Sequence, residues 1–279
     1  MLKEYVKFTD NLSVQIFEES KHNTSLKDQK VKSFFNDTFS IYTRCKLNKE
    51  TYVANEHYGL FAKQGMHSGV WLKDNFVTGL LFCQDENNNI VEYGIPIRLE
   101  DSEFFDEIQI LFQYNAEENK LKLYVNGQSE ELAIAKEHKL VDYIQAPFWI
   151  GACAPWYSND LRWFFNGEIY EFSINEKYLS IENVNQLFEN KGYENLINSE
   201  LTESLFCWFE FTIINFSRFK VFDKSNNGNH GIVPDWHYTE VRAKLQSYSK
   251  DRKEISEFGV KLKIEEEATK KVNKNFNLI

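Results

Sequence analysis

The chain is poor in the residues that break or staple a fold. Its 279 residues include only 4 Pro, 12 Gly, 2 Met and 4 Cys. The four cysteines, Cys45, Cys83, Cys153 and Cys207, are widely spaced and form no CxxC pair, so the sequence contains no zinc or redox motif of that type. We expect free, buried thiols in a reducing compartment rather than disulfides.

Long apolar runs are also missing. The first residues, MLKEYVKFTDNLSVQ, contain no apolar segment of the signal-peptide type. Nowhere does an uninterrupted apolar run reach the roughly 18 residues of a membrane span. The sequence therefore predicts no signal peptide, no membrane partner and a cytoplasmic location, unless the chain is excised from a larger one.

Positive charge is scarce. The chain has 42 Asp and Glu against 32 Lys and Arg, a net charge of -10 at pH 7. This balance leaves no basic face large enough for a run of phosphates, so we expect no nucleic-acid partner. A neutral sugar tolerates such a charge, whereas an acidic polysaccharide needs a local cluster of Lys and Arg or a bridging cation.

Aromatic residues, in contrast, are abundant. The chain has 24 Phe, 14 Tyr and 6 Trp, and 42% of its residues are hydrophobic. Rings in this number favour half-buried pleated surfaces over a helical bundle. At this length about three-quarters of the unfolded surface can be buried, which predicts a folded, β-rich protein.

Period-2 alternation bounded by turn residues recurs along the chain, as is typical of strands on a sandwich core. In residues 39–47 it places Phe39, Ile41, Cys45 and Leu47 on one face, and Ser40, Tyr42, Arg44 and Lys46 on the other. Further alternating sets are Ile108, Ile110, Phe112 and Tyr114, and Tyr170, Phe172 and Ile174. Asn126-Gly127, after residues 120–125, predicts a hairpin with a type I′ turn.

Helical patterns are rare. Ser180 is a suitable cap for a short helix with an apolar stripe of Ile181, Val184, Leu187 and Phe188, ended by Lys191-Gly192. A second helix is expected over about residues 239–249, and an edge strand over 260–264. No Pro, Gly or Ser linker divides the chain. We therefore expect an all-β jelly-roll sandwich over residues 1–238, with a helical and charged appendage over 239–279.

Several segments, in order, resemble LamG-like domains of the concanavalin A-like lectin/glucanase superfamily. The matching segments are 38–47 (TFSIYTRCKL, for "FTISFWVK"), 60–65 (LFAKQG, for "LFSKG"), 121–127 (LKLYVNG, for "LYVNG"), 150–151 (IG), 165–172 (FNGEIYEF, for "FxGxIDEV") and 179–180 (LS, for "LSxEEI"). Each segment is weak alone, and the shared order makes the match specific. The resemblance implies a concanavalin A-like jelly roll.

The remaining segments resemble the same family in permuted order. Residues 205–211 (LFCWFEF), 221–231 (VFDKSNNGNHG) and Trp236 resemble the segment that normally opens such a domain. Residues 1–8 (MLKEYVKF) resemble the strand that normally follows it. Either the late strand folds back beside the first to complete one sandwich, or the chain begins partway through a tandem array. An unpaired edge makes the second alternative less favourable.

Catalytic motifs are mostly missing. Glucanases of the superfamily place acidic residues at i, i+2 and i+4 of one strand, and no such triplet occurs here. Glu168 and Glu171 are three apart, which predicts opposite faces of a strand and a place at the solvent-facing rim. His57 and His67 flank the LFAKQG strand and are candidates for glycan contacts or acid–base work, or are ordinary loop residues. His230, within NGNHG, is better explained as part of a turn.

Calcium is a possible cofactor, because LamG-like domains often hold this ion at a sandwich rim. Oxygen donors are available in residues 85–89 (DENNN), in the acidic run 100–107 and at Asp223. None has the spacing of a dedicated loop motif, and solvated turns explain them equally simply.

The most suggestive stretch is residues 151–163, GACAPWYSNDLRW. It places Trp156, Tyr157 and Trp163 beside Asn159, Asp160 and Arg162, and Trp71 follows the two histidines. Aromatic rings next to amide, carboxylate and guanidinium groups suit the apolar faces and ringed hydroxyls of a sugar. A second interpretation, that the same rings plug the edge of the core, is supported equally well by the sequence.

Three hypotheses follow from these patterns. In the first, the chain is a non-catalytic module that binds a glycan or sugar conjugate through the aromatic loop. In the second, it is an enzyme of bacterial polysaccharide metabolism that acts on sugars or sugar conjugates, with His57, His67 and the loop as its site. In the third, residues 239–249 dock the domain onto a larger protein.

Overall fold

Two antiparallel sheets packed face to face form the described part of the chain. The computed structural model describes residues 6–8, 13–16, 38–63, 68–141, 148–153, 163–196, 200–212, 215–217, 220–225 and 227–232. Within these ranges the strands are β1 (Lys7–Phe8), β2 (Val14–Ile16), β3 (Phe39–Leu47), β4 (Tyr58–Lys63), β5 (Gly69–Lys73), β6 (Phe76–Gln84), β7 (Ile90–Arg98), β8 (Glu107–Asn115), β9 (Lys120–Val125), β10 (Gln128–Ala133), β11 (Lys139–Leu140), β12 (Phe148–Ile150), β13 (Gly167–Asn175), β14 (Leu205–Glu210), β15 (Phe216–Ser217), β16 (Lys220–Val221) and β17 (Gly231–Ile232). The prediction of an all-β sandwich is confirmed.

The first sheet has the order β1-β13-β3-β8-β9-β10, and β14 also pairs with β13. The second sheet has the order β11-β6-β5-β4-β12-β2-β17-β16-β15, and β7 also pairs with β6. Neighbours in both sheets are antiparallel. The sheets turn their alternating apolar residues towards each other, which is the arrangement that buries a period-2 pattern.

The core is a continuous aromatic contact between the sheets. Phe61 of the second sheet meets Phe172 of the first edge to face, with ring centroids 5.5 Å apart, and Phe148 approaches Phe172 at 5.7 Å. The predicted inward residues of β3, Phe39, Ile41, Cys45 and Leu47, all belong to this core. All four cysteines are buried and free, as predicted, and burial raises the pKa of each thiol.

The outer face of the first sheet is covered as well. Helix α2 (Ile181–Glu189) follows β13 and packs Val184 and Leu187 against this face, where Tyr42 is only 1% exposed. Ser180 caps the helix by accepting a hydrogen bond from the N–H of Asn183, as predicted. Ile181 does not join the stripe, since it is 51% exposed. The polar face predicted for β3 is therefore largely buried beneath a helix.

Strand β13 contains a bulge that the alternation did not predict. Ile169 pairs with Cys45 and Glu171 with Arg44, so Tyr170 is one residue extra relative to β3. Ile169, not Tyr170, is in the core, and the Tyr170 ring lies under the Arg44 guanidinium at 5.0 Å. A bulge shifts the alternation by one residue, so the prediction for Tyr170 was wrong, while those for Phe172 and Ile174 are confirmed.

Strands β14 and β1 lie end to end along one edge of β13. Strand β14 pairs with residues 171–175 and β1 with residues 167–168, both in the same direction. The N–H of Val6 donates to the carbonyl of Phe211 at 2.8 Å, and the rings of Phe8 and Phe211 are 5.3 Å apart. A late segment and an early segment thus jointly form one edge of the first sheet.

The predicted hairpin joins β9 and β10. Asn126 and Gly127 have φ angles of 48° and 86°, and Val125 pairs with Gln128, as a two-residue type I′ turn requires. Two further short helices, α1 (Asp101–Phe104) and α3 (Glu200–Glu203), were not predicted. In the described ranges, no helix is long and apolar enough to cross a bilayer. The helix and edge strand predicted over 239–249 and 260–264 lie outside those ranges.

Candidate functional site

Three of the predicted site residues fall within the described ranges, and the structure brings these three together. His57 precedes β4, Trp71 lies on β5 and Trp163 precedes β13. The other predicted residues, Trp156, Tyr157, Asn159, Asp160, Arg162 and His67, lie outside the described ranges. We call His57, Trp71 and Trp163 the aromatic cluster.

The aromatic cluster is a compact group of three half-buried rings. His57 stacks on Trp163 with ring centroids 4.6 Å apart and planes 26° from parallel. Trp71 lies 6.1 Å from Trp163 and 6.3 Å from His57, in a tilted and an edge-on arrangement respectively. The three residues come from separate segments, so the cluster is a product of the tertiary fold.

Backbone contacts at Gly59 fix the position of the cluster. The N–H of Gly59 donates to the carbonyl of Trp163 at 2.5 Å. A Cβ on Gly59 would lie 2.6 Å from that oxygen, 2.6 Å from Sγ of Cys153 and 2.8 Å from the nitrogen of Cys153. Cys153 and Trp163, which flank residues 154–162, therefore both approach β4 at Gly59. Any larger residue at this position would displace their backbone atoms.

The electrostatic environment keeps His57 neutral. Burial, and then the Lys73 ammonium, lower the pKa of His57 below its ordinary 6.5, while Asp74 acts in the opposite direction. A neutral imidazole carries one hydrogen-bond donor and one acceptor. Within the described ranges, neither the ring nitrogens of His57 nor the indole N–H of Trp71 has a hydrogen-bond partner. The cluster thus combines apolar ring faces with available polar atoms.

A row of residues beside the cluster was missed by the sequence analysis. Lys73 pairs with Phe76, and Phe76 pairs with Arg98, on the adjacent strands β5, β6 and β7. Their flanking residues Leu72, Val77 and Ile97 are in the core, so this row faces outward, on the same side of the sheet as Trp71. We call Lys73, Phe76 and Arg98 the cationic row. The alternation within each of the three strands is the signal that would have found it.

The enzymatic hypothesis would be supported by a carboxylate that orients His57, but the nearby carboxylate of Asp74 is bonded to other residues. Asp74 accepts hydrogen bonds from the N–H of Asn55 at 2.8 Å and from the hydroxyl of Tyr52 at 3.0 Å. The Asn55 bond is the main cause of the lowered pKa of Asp74. This carboxylate is thus a turn acceptor, and a proton-transfer role for His57 remains a prediction that involves residues outside the described ranges.

Glu168 and Glu171 do not lie on opposite faces, as their spacing predicted. The bulge at Tyr170 places both opposite Lys46 and Arg44, which are two residues apart on β3, so both glutamates face outward. Glu171 is buried beneath Gly192 and Tyr193, and the N–H of Tyr193 donates to it at 2.8 Å. Burial raises the pKa of Glu171 to about 7. It is a buried structural acid and not a rim residue.

The Asn-Gly-Asn-His-Gly segment is organised around Asp223. Its carboxylate accepts hydrogen bonds from the backbone N–H groups of Trp208, Ser225 and Asn229, at 2.9 Å each. His230 accepts from the N–H of Asp223 through Nδ1 at 3.1 Å. The segment is therefore a hydrogen-bonded turn, which agrees with the structural interpretation of His230.

The carboxylates considered for calcium are likewise occupied by hydrogen-bond donors. Asp85 accepts from the N–H groups of Asn87 and Asn89 in the β6–β7 turn. Glu100 and Glu103 form the capping box of α1, and Glu107 pairs with Arg44 at 3.1 Å. In the part of the chain that the structure describes, no three His, Cys, Asp or Glu side chains are arranged to hold a metal ion. These residues do not fit a calcium site.

Comparisons with known proteins bear on the fold. No protein-family model matches the sequence, and no curated protein matches it significantly. A crystal structure from Bacteroides ovatus ATCC 8483, provisionally described as a carbohydrate binding protein, is similar over 83% of this chain, with 11% identity and a TM-score of 0.55. The chain spans 58% of that protein's length.

Two more distant structures are also similar. CBM40 of the Ruminococcus gnavus IT-sialidase matches 68% of this chain and 98% of its own, with 13% identity and a TM-score of 0.47. The binding domain of botulinum neurotoxin DC, in complex with rat synaptotagmin II, matches 70% of this chain and 47% of its own, with 15% identity and a TM-score of 0.44. At these identities the similarity to the Bacteroides structure establishes the fold alone, a β-sandwich of two antiparallel sheets.

Proposed function

We propose that this protein is a carbohydrate-binding module that recognises a glycan through the aromatic cluster and the adjoining 151–163 loop. The observation that carries the proposal is the stacking of His57 on Trp163, with Trp71 beside them, where three chain segments meet. The provisional description of the Bacteroides protein of similar fold supports the same conclusion.

The chemistry of the cluster suits a sugar. The C–H faces of a pyranose ring pack against indole faces, and its hydroxyl groups need donors and acceptors at the ring edge. The indole N–H of Trp71 and the neutral imidazole of His57 supply those polar atoms. Two half-buried Trp and one half-buried His at one place combine apolar and polar recognition on the outer face of the second sheet.

Replacing Trp71 with alanine is the direct test of this proposal. Trp71 is half-buried on the outward side of β5, so we expect Trp71→Ala to fold and to weaken glycan binding by about 30-fold or more, the effect of losing a central tryptophan. A glycan array identifies the ligand, and isothermal titration calorimetry measures the affinities.

A distant aromatic residue provides the control. Phe222 is 39% exposed and contacts His230, away from the aromatic cluster. We expect Phe222→Ala to bind the glycan as the parent does. Unchanged binding by a folded Trp71→Ala protein would contradict the proposed site.

We further infer that the chain is a LamG-like domain in circularly permuted order, with one sandwich over residues 1–238 and an appendage over 239–279. The support is the end-to-end placement of β14 and β1 along β13, joined by the bond from Val6 to Phe211. The two segments are far apart in the sequence and adjacent in the structure. A rearrangement of the chain order at such a place requires little structural change.

A rearranged chain tests this inference. We expect a protein that starts at residue 199, runs to residue 279 and continues from residue 1 to 198 to fold cooperatively with the circular dichroism spectrum of the parent. The control is a second rearranged protein whose new termini lie between residues 79 and 80, in the middle of β6. We expect this protein not to fold. Failure of the first protein to fold while the parent folds would contradict the inference.

A further inference from the structure

We infer that the surface formed by the aromatic cluster and the cationic row selects acidic glycans, those that carry carboxylate or sulfate groups. The cationic row gives this selectivity. The inference rests on the proposed carbohydrate-binding function and goes beyond it by assigning the charge class of the ligand. It adds Lys73, Phe76 and Arg98 to the site.

The register of three strands places the cationic row beside Trp71 on one face of the sheet. Trp71 and Lys73 are two residues apart on β5, so their side chains leave the same face of the sheet. Lys73 lies opposite Phe76, and Phe76 lies opposite Arg98. The cationic row therefore begins directly beside the aromatic cluster and crosses β5, β6 and β7 at right angles to the strands.

Phe76 and Arg98 of the cationic row are exposed to solvent. Phe76 is 38% exposed, one of few large apolar side chains so exposed, and Arg98 is exposed with its guanidinium 6.0 Å from the Phe76 ring centroid. The guanidinium plane and the ring together form a surface that accepts both an apolar sugar face and an acidic group.

Lys73 and Arg98 give the cationic row its positive charge. Among the ion pairs of the described residues, neither Lys73 nor Arg98 takes part. Lys73 lies two residues from Trp71 on the same face of β5, and its ammonium group lowers the pKa of the His57 imidazole. Asp74, which accepts hydrogen bonds from Asn55 and Tyr52, keeps its negative charge and offsets part of the Lys73 charge, whereas Arg98 has no carboxylate partner among the ion pairs of the described residues.

Two cations outside the ion pairs of the described residues are notable on a chain with a net charge of -10. The overall charge repels an anionic polymer, so a local cationic surface gives selectivity for an acidic group at this one place. Lys73 and Arg98 are separated by one strand, about 10 Å at the backbone. An oligosaccharide that bears acidic groups on more than one sugar unit spans that distance.

The experiment compares acidic and neutral glycans on charge variants of the full chain. The probes are uronic-acid-bearing and sulfated oligosaccharides, their neutral counterparts and a single-stranded oligothymidylate. The variant is Lys73→Gln/Arg98→Gln. The matched control, Lys136→Gln/Lys139→Gln, removes the same charge from two exposed lysines near the β8–β9 turn.

We expect the parent to bind the acidic oligosaccharides at least about tenfold more tightly than the neutral ones. We expect Lys73→Gln/Arg98→Gln to lose that preference, so that it binds acidic and neutral oligosaccharides equally well, and the control to behave as the parent. Raising the salt from about 50 to about 300 mM should weaken only the acidic binding. The carboxylate and sulfate arms identify which acidic group is preferred.

Failure of this inference and failure of the proposed function give different results. If the parent binds neutral glycans equally well, or if both double variants lose acidic binding equally, the inference is overturned while the proposed function stands. Oligothymidylate binding that competes with the glycan and depends on Lys73 and Arg98 would also overturn it, since the row would then be a phosphate-binding surface. If the parent binds no glycan at all, the proposed function itself fails.

Discussion

Gly59→Ala is expected to destabilise the sandwich by about 3 kcal/mol, at the upper end of the cost of overpacking. The added methyl group would lie within 2.8 Å of two backbone atoms, the carbonyl oxygen of Trp163 and the nitrogen of Cys153. Backbone atoms in a paired segment cannot rotate away as the end of a side chain can. We therefore expect β4 and the two ends of the 154–162 segment to separate, with loss of the hydrogen bond from Gly59 to Trp163.

Thermal and urea unfolding measure this effect, and a melting temperature lower by about 6–12 °C is expected. Gly94→Ala is the matched control, because Gly94 lies on the same sheet and the nearest atom to its added Cβ is the flexible Leu80 Cδ1, at 3.3 Å. The control should cost about 1 kcal/mol or less. Equal stability of the Gly59 and Gly94 variants would show that the close approach at β4 is absent in solution.

Glu171→Gln is expected to remove a pH dependence of stability. Burial raises the pKa of Glu171 from 4.5 to about 7, with Glu210 acting in the same direction, while Tyr193, Arg44 and Trp208 oppose the shift. Between pH 4.5 and 7 the folded state binds more protons at this site than the unfolded state. The contribution of Glu171 is therefore greatest below pH 4.5 and is lost as the pH rises towards 7. The full difference is about 3 kcal/mol.

The free energy of unfolding of the parent and of Glu171→Gln is measured between pH 4 and 8, in steps of about half a pH unit. As the pH rises across this range, we expect the free energy of unfolding of the variant to increase by about 3 kcal/mol relative to that of the parent. Glu168→Gln is the control, since Glu168 is on the same face of β13 but reaches solvent. Parallel curves for the parent and the Glu171 variant would mean that the carboxylate is charged and compensated throughout.

The alternation of the sequence predicted the core because the pattern is local. The inward set of β3 and the Asn126-Gly127 turn depend on residues within one strand or one hairpin, where side-chain period and turn geometry decide the outcome. The outer face of β3 was predicted as polar, and it is buried because α2 folds over Tyr42. That burial depends on a helix more than a hundred positions away, about which the strand contains no information.

The same distinction applies to the bulge and to the site. A period-2 count cannot reveal that Tyr170 is an extra residue, because the bulge exists only relative to the partner strand β3. His57, Trp71 and Trp163 were found as candidates from their residue types, and their contacts followed only from the fold. Lys73 and Arg98 were missed because only the pairing of three strands places them in one row. Within its own segment, each is an ordinary surface residue.

The joining of β14 to β1 has a consequence for how the protein is made. Lys7 pairs with Glu168, and Val6 bonds to Phe211, so β1 has no partner in the first sheet until these later residues have left the ribosome. At about 5–20 residues per second, that interval lasts roughly ten seconds or more. The apolar edge of the nascent chain is open to aggregation throughout this time. Completion of this sheet edge therefore waits for residues about 200 positions away, and contacts of such high sequence separation are expected to slow folding.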